Sequence, residues 1–318
     1  MKHQKLLLVG GTGFIGKRLA IALANHGCDV LLPCRRPHRH RDLLVHPRIQ
    51  LMEANIFETE TLNKLCINQH AVINLVGILH ENRVGDFRRV HIEFIKSLVA
   101  ACTRNKVKRL LHISALGANQ AIGSSQYLRS KGEGENLVHT FGKKDMHVSS
   151  FQPSVVFGET DQFVNRFASV LRLCPGLFPL ACPKAKLAPV YVDDLVNLMV
   201  SSLDNPDSFS KHYPVCGPEQ FTLKEILELI TEQVNPSCKI IPLSDFLSRL
   251  QARVLQILPG KLFTIDNYQS LKTDSICTEN SSSGMSFRHY VKGLNVLFGR
   301  KSTYDQYRSR IPGLKKHD

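Results

Sequence analysis

Apolar and polar positions along the first half of the chain follow two periods in turn. Residues 5–9, KLLLV, form a short unbroken apolar run that stops at glycines, as a strand buried on both faces does. Ile15, Leu19, Ala22 and Leu23 then recur at helical spacing, and Gly27 follows as a stop. The alternation continues with strands predicted at 29–32, 49–52, 71–76, 109–113 and 148–151. Helices are predicted over 58–68, along Phe87, Val90, Phe94, Leu98, Val99 and Cys102, and over 127–141. Strands alternating with helices mean βαβ units, hence an α/β chain with a doubly wound parallel sheet. After Pro153 the alternation loosens. Helices are expected at 163–173, 192–199, 221–234 and 244–255, the third opened by a capping box of Thr222 and Glu225. Cys174-Pro175-Gly176 and Cys182-Pro183 punctuate a loop, and the most linker-like stretch is 281–284, SSSG.

The first candidate chemistry is Gly10-Gly11-Thr12-Gly13-Phe14-Ile15-Gly16, set between a strand and a helix. Glycines at 10, 13 and 16 permit a tight turn, let backbone approach a pyrophosphate, and let helix and strand pack closely. The helix N-terminus adds unpaired N–H groups and a positive dipole end. Gly10, Thr12, Gly13, Phe14, Ile15 and Gly16 are thus the expected dinucleotide-binding turn of a Rossmann sheet. The expected organisation is a dinucleotide-binding domain over 1–153, to which later segments such as 188–216 return. A smaller mixed substrate lobe with a basic tail occupies 154–318.

Charge sharpens the cofactor. The chain carries 41 Lys+Arg against 27 Asp+Glu, a formal net charge of +14 that asks for an anionic partner. A cofactor without a 2′-phosphate is held by a carboxylate about 20 positions past the glycines. That place here has no Asp or Glu and instead has Arg35, Arg36, Arg39 and Arg41. A guanidinium fork suits a phosphate better than a bare ribose diol. Arg35 and Arg36 are therefore read as 2′-phosphate ligands, and the cofactor as NADP(H) rather than NAD(H).

Composition narrows the rest. With 43% hydrophobic and 21% charged residues, the chain is neither fibrous nor disordered. Nine cysteines occur singly, an odd number without a CxxC pair, so neither a disulfide framework nor a zinc site is expected and a reducing compartment is. The histidines, among them His38, His40 and His46, lack ligand spacing, so no metal is expected. No apolar run reaches the ~18 residues of a membrane span, and no signal or organelle-type presequence is recognised at the N-terminus. The expected location is cytoplasmic, with peripheral attachment to an inner membrane face left open. The C-terminal region interleaves Lys292, Arg300, Lys301, Arg308, Arg310, Lys315 and Lys316 with Leu294, Val296, Leu297 and Phe298. It suits either a surface-lying docking element or a final packed helix. No recognition motif supports nucleic acid.

Further landmarks fall in order along the chain. Asn55 follows the third strand, and Asn74-Leu75-Val76-Gly77 follows the fourth. His112-Ile113-Ser114-Ala115-Leu116-Gly117-Ala118 follows the fifth, and Tyr127-Leu128-Arg129-Ser130-Lys131 has YxxxK spacing. Gln152-Pro153-Ser154-Val155-Val156-Phe157-Gly158 and Val190-Tyr191-Val192-Asp193-Asp194 come later. With the glycine turn, these resemble the extended and atypical short-chain dehydrogenase/reductases, the NAD(P)-dependent epimerase/dehydratase superfamily. The segments 127–135, 154–167 and 262–267 look most like the Rossmann-type accessory subunits of respiratory complex I and their stand-alone bacterial relatives. The resemblance implies adenine contact at Asn55, and cofactor contact at Leu75, Val76, Gly77, Lys131 and Pro153. It also implies Tyr127 as acid/base, with Lys131 lowering its pKa from one helical turn away. The family's substrate-orienting hydroxyl falls by count on Ala115. Either Ser114, one residue earlier, substitutes through a shifted backbone, or the hydroxyl is absent.

Two functions stay open on this reading. One is an NADP(H)-dependent oxidoreductase or epimerase/dehydratase acting on an unidentified small molecule through Tyr127, Lys131 and Ser114. The other is a non-catalytic NADPH-binding structural, assembly or redox-sensing protein, partnered by respiratory-complex subunits or an anionic membrane surface.

Overall fold

The computed structural model describes residues 4–142, 146–257, 261, 263–278 and 284–294. Its centre is a seven-stranded parallel sheet. The strands are β1 (Lys5–Val9), β2 (Asp29–Cys34), β3 (Ile49–Glu53), β4 (Ala71–Asn74), β5 (Arg109–Ile113), β6 (His147–Pro153) and, from much later in the chain, β11 (His212–Val215). Their order is β11-β6-β5-β4-β1-β2-β3. The chain therefore starts at β1, winds outward through β2 and β3, then returns to β4 on the other side. The crevice where the order reverses opens at the C-terminal ends of β1 and β4, the place where open α/β sheets bind ligands.

Strand β1 makes plain why its residues had to be apolar throughout. Leu6 and Leu8 enter one core, while Leu7 and Val9 enter another. Successive side chains of a strand point to opposite faces, so a strand covered on both sides has no polar face. The first core receives α1 (Phe14–Asn25) and α7 (Val192–Ser202); the second receives α2 (Thr59–Leu65), α4 (Phe94–Arg104) and α5 (Gln126–Gly142). A buried guanidinium ties α7 to the sheet. Arg109 donates to the carbonyls of Ser202 (2.9 Å) and Leu203 (3.1 Å) at the end of α7, and to Ser208 Oγ (2.7 Å).

Several boundaries differ from expectation for local reasons. Strand β4 ends at Asn74 rather than residue 76, because the Asn74 side chain accepts the N–H of Val76 and turns the chain. Strand β6 is longer than expected because β11 pairs with its outer edge, Val215 opposite Pro153. The helix over 87–102 is interrupted: α3 (Asp86–Arg88) passes through a π turn at Arg89–Glu93 into α4.

The second half builds a mixed lobe around a third core. Two short parallel pairs occur, β7 (Val156–Phe157) with β10 (Val190–Tyr191) and β8 (Leu177–Leu180) with β13 (Lys239–Pro242). One antiparallel pair joins β9 (Lys186–Leu187) to β12 (Phe221–Thr222). Around them pack α6 (Val164–Leu173), α8 (Leu223–Val234) and α11 (Phe287–Lys292), with α9 (Asp245–Leu255) and α10 (Ile265–Ser270) completing the lobe. The Thr222–Glu225 capping box opens α8 as expected. Leu294 is buried in this third core beside Phe287 and Val291, while 281–283 and 295–318 of the linker and basic tail lie outside the described residues. Among the described residues, no helix is long and apolar enough to cross a membrane.

The cysteine expectation is corrected. Cys216 and Cys277 form a disulfide across 61 positions. Cys216 follows β11 directly, and Cys277 lies two residues past Ser275, which bridges to Leu187 of β9. Separately folded elements bring the two thiols together, so spacing along the chain carries no sign of the pair.

Candidate functional site

The glycine turn has the geometry its sequence demands. Gly10 has φ +80, and a Cβ there would stand 2.9 Å from the Leu75 carbonyl carbon. A Cβ on Gly16 would lie 2.5 Å from the Cα of Gly11, so α1 can start this close only through glycine. At Gly13 the nearest atom to an added Cβ is the Gly10 oxygen at 3.4 Å, which leaves the mouth of the turn open to a phosphate. Gly13 is the N-cap of α1 and no side chain caps it, so the first N–H groups of Phe14, Ile15 and Gly16 face the crevice between β1 and β4. Thr12 sits in the same turn.

Arg35 and Arg36 are exposed directly past β2, the strand beside β1, and among the described residues no carboxylate forms an ion pair with either. Lys17 of α1 and Asp42 close the neighbouring loop at 2.7 Å. Asn55 follows β3, but its amide is occupied locally: Nδ2 donates to Glu58 Oε1 (2.9 Å) and Oδ1 accepts the Phe57 N–H (3.2 Å). Leu75, Val76 and Gly77 continue from β4 along the crevice, and Pro153 ends β6, its carbonyl accepting the Leu116 N–H at 3.0 Å.

Lys131 is buried at 4% exposure and donates to the Ile113 carbonyl at 2.6 Å. Its ammonium stands 3.8 Å from where a Cβ on Gly77 would be, which brings α5 to the β4 loop. Burial pulls its pKa down to about 8, against an opposing pull from the Glu135 carboxylate. Tyr127, one turn earlier, packs near Phe87 and His91. Burial, then the Asp266 carboxylate, pushes its phenol up to about 12. The expectation that Lys131 lowers this pKa is therefore corrected: desolvation of the phenolate dominates, and the ammonium is engaged with a backbone carbonyl. Ser114 Oγ is buried without a hydrogen-bond partner among the described residues. A hydroxyl left unpaired at the end of β5 fits a ligand bound across the strand ends.

Three side chains at the site were not singled out by the sequence. His91 lies on the π turn, and its Nδ1–H donates to Ser130 Oγ (2.8 Å), whose own hydroxyl donates to the Tyr127 carbonyl (2.9 Å). His91 Nε2 accepts the Ile78 N–H at 3.2 Å. Burial, then Lys131, drops its pKa to about 3, so it stays neutral. A π turn inside a helical run is a frequent mark of a functional site, but its sequence looks helical. His112 at the end of β5 accepts from Asn74 Nδ2 (3.0 Å) through Nδ1, which leaves Nε2 buried and without a partner among the described residues. Asp266, from the far lobe, accepts the backbone N–H groups of Gln126 (2.7 Å) and Tyr127 (3.2 Å) and so caps the helix carrying the YxxxK pair.

The segment around α10 straddles the site. Asn267 Nδ2 reaches the Leu79 carbonyl and Lys261 Nζ the Glu81 carbonyl on the β4 side, while Ser270 and Thr273 bond Ser125 and Ser124 ahead of α5. A cavity of about 470 Å³ is lined by His80, Asp161, Gln162, Asn165, Arg166 and Ser169. Burial and the nearby Lys261 and Arg166 hold the His80 imidazole below its usual range.

Comparison with known proteins agrees with this fold. The profile of the NAD dependent epimerase/dehydratase family matches residues 6–216. The mitochondrial NADH dehydrogenase [ubiquinone] 1 alpha subcomplex subunit 9 of Dictyostelium discoideum is 29% identical over 253 residues, covering 78% of this chain and 69% of that protein. A nucleoside-diphosphate-sugar epimerase of Staphylococcus aureus superposes with a TM-score of 0.70 at 14% identity, over 91% of this chain and all (100%) of its own. The UDP-glucose 4-epimerase of Thermus thermophilus, solved with NAD, gives 0.64 at 18% identity over 85% and 99%.

Proposed function

The chain belongs to the NAD dependent epimerase/dehydratase family, and on that premise we propose that it is an NADP(H)-dependent oxidoreductase or epimerase of a small molecule held between the sheet and the C-terminal lobe. The observation that carries this reading is the buried Lys131 ammonium beside Gly77, with Tyr127 one turn away at the switch point of the sheet. The glycine turn would take the pyrophosphate on the N–H groups of Phe14, Ile15 and Gly16. Arg35 and Arg36 would hold the 2′-phosphate, and Leu75, Val76, Gly77 and Pro153 would line the nicotinamide half. When bound, the cofactor supplies or accepts hydride. Tyr127, protonated throughout the physiological range with its pKa near 12, donates a proton to the substrate oxygen on which negative charge builds. Lys131 stabilises that charge and anchors the ribose. Ser114 offers its unpaired hydroxyl as a second donor. The cavity at His80 and Arg166 holds the rest of the substrate.

A second reading has its own support. With Ala115 at the family's hydroxyl position, a missing oxyanion donor costs about 10²–10³ in rate. Similarity to a respiratory-complex subunit then favours a non-catalytic NADPH-binding module docked on complex subunits or an anionic membrane face.

Thermal-shift titration separates the possibilities, since a ligand that binds only the native state raises stability by an amount that grows with the logarithm of its concentration over Kd. A larger shift with NADPH than with NADH, lost in Arg35→Ala/Arg36→Ala, supports the phosphate assignment; equal shifts sink it. NADPH oxidation by a carbonyl substrate, abolished in Tyr127→Phe, supports the enzyme. Tight binding without turnover across carbonyls and quinones supports the second reading.

A further inference from the structure

Helix α5 continues past the YxxxK pair with a second row of polar side chains on the same face. Glu135 is four residues beyond Lys131, and His139 four beyond Glu135, so the three share one stripe. The stripe faces β6 and the edge strand β11, whose first residue is His212. One donor atom from each of Glu135, His139 and His212 lies within 4.8 Å of the other two. His139 is about 12 Å along the helix from Lys131 at 1.5 Å per residue, outside the nicotinamide site.

We propose that Glu135, His139 and His212 form a binding site for a divalent transition-metal ion of the zinc class. Two imidazoles and one carboxylate make up the three-ligand set of open zinc sites, with the fourth position left to water. His212 is exposed, so that fourth position faces solvent. Glu135 is only 3% exposed, and among the described residues its one ion-pair partner is His212, at 2.6 Å. The Lys131 ammonium one turn away acts on this carboxylate without pairing with it, so the cation in direct contact with so deep a carboxylate is a half-exposed imidazole. A further shell is in place: Gln152 Nε2 donates to Glu135 Oε1 at 2.8 Å and orients the carboxylate, and Ser150 Oγ lies 2.9 Å from His139 Nε2. Such outer partners set ligand direction in metal sites.

The geometry also says what must move. The two imidazoles stack with centroids 3.9 Å apart and planes 21° from parallel. Lone pairs lie in the ring planes, so stacked rings do not aim at one point. One ring has to turn about its Cβ–Cγ bond, and His212, on an edge strand with its side chain 47% exposed, has the room. The ion then replaces the His212–Glu135 hydrogen bond.

The test is a titration of the tag-free full chain with Zn²⁺ by calorimetry and with Co²⁺ by visible absorption. The expected result is one ion per chain with the weak d–d bands of nitrogen and oxygen ligation. His212→Ala and His139→Ala should each weaken affinity by at least about tenfold, as should Gln152→Leu. An unchanged NADPH-induced thermal shift in His212→Ala keeps the loss separate from misfolding and from any failure of the cofactor assignment. Affinity equal in the native chain and both histidine variants overturns the proposal. So does a Co²⁺ spectrum dominated by thiolate charge transfer, which would assign the ion to cysteines instead.

Discussion

Lys131→Met removes a buried ammonium while keeping most of the side chain's length. Lys131 is 4% exposed, and its pKa falls from an ordinary 10.5 to about 8. At about 1.4 kcal/mol for each tenfold, holding it charged costs the folded state roughly 3 kcal/mol at pH 7. The variant escapes that cost but loses the 2.6 Å hydrogen bond to the Ile113 carbonyl. An orphaned buried carbonyl and a lost charged bond are together worth about 1.5–3 kcal/mol. The two effects nearly cancel, so at pH 7 the variant should lie within about 1–2 kcal/mol of the native chain, less than the usual loss on breaking a buried charge pair. The sign with pH is definite. A base whose folded pKa is lowered binds fewer protons folded than unfolded between about 8 and 10.5. Native stability therefore rises with pH across that window relative to Lys131→Met, by up to about 3 kcal/mol, and the difference is flat below it. Urea unfolding of both proteins at pH 7, 8, 9 and 10, with m-values matched, measures it. A stability difference that stays constant from pH 7 to 10, or that moves against the native chain, refutes the claim that Lys131 is charged, buried and costly.

The same ionisation should appear in catalysis: kcat/KM for carbonyl reduction falls as pH rises through about 8, when Lys131 loses its charge, and Tyr127, near 12, adds no second limb below it. Asp266→Ala removes the acceptor of the Gln126 and Tyr127 N–H groups; loss of a cap costs about 1 kcal/mol, so Tm drops by about 1–2 °C in a chain of this length and cofactor affinity falls with it, whereas Asp266→Asn restores most of both. Gly134→Ala puts a Cβ 2.4 Å from the His91 carbonyl oxygen; displacement of the π turn should lower stability by about 1–3 kcal/mol and reduce NADPH affinity, and native-like melting and binding would contradict the close packing. Reduction of Cys216–Cys277, which are 61 positions apart, should cost about 4 kcal/mol by loop entropy, measured as a lower Tm after dithiothreitol treatment. A non-reducing peptide map lacking that pair would contradict the assignment.

The order of strands and helices, the glycine turn, the capping box at Thr222 and the YxxxK pair were all legible along the chain. Each is written within a few consecutive turns or pleats, where period, cap and turn chemistry act locally. Leu6 through Val9 declare a strand covered on both faces by composition alone. The position of Arg35 and Arg36 past a strand next to β1 is legible for the same reason, because it follows from the order of elements. What decided the site's chemistry lies across space. β11 joins the sheet after 58 residues that have built other structure, since His212 follows Pro153 by 212 − 153 = 59 positions. Asp266 reaches back 140 and 139 positions to cap α5, and Cys277 finds Cys216. The Tyr127 pKa is set by burial more than by its helical neighbour Lys131. Local periodicity fixes which face of an element is apolar, but desolvation and long-range partners depend on which elements finally cover that face. The chain alone thus determined an α/β dinucleotide fold with a Tyr-Lys pair. Only the packed structure decided that Tyr127 stays protonated, that Lys131 is held on the Ile113 carbonyl, and that Glu135, His139 and His212 meet.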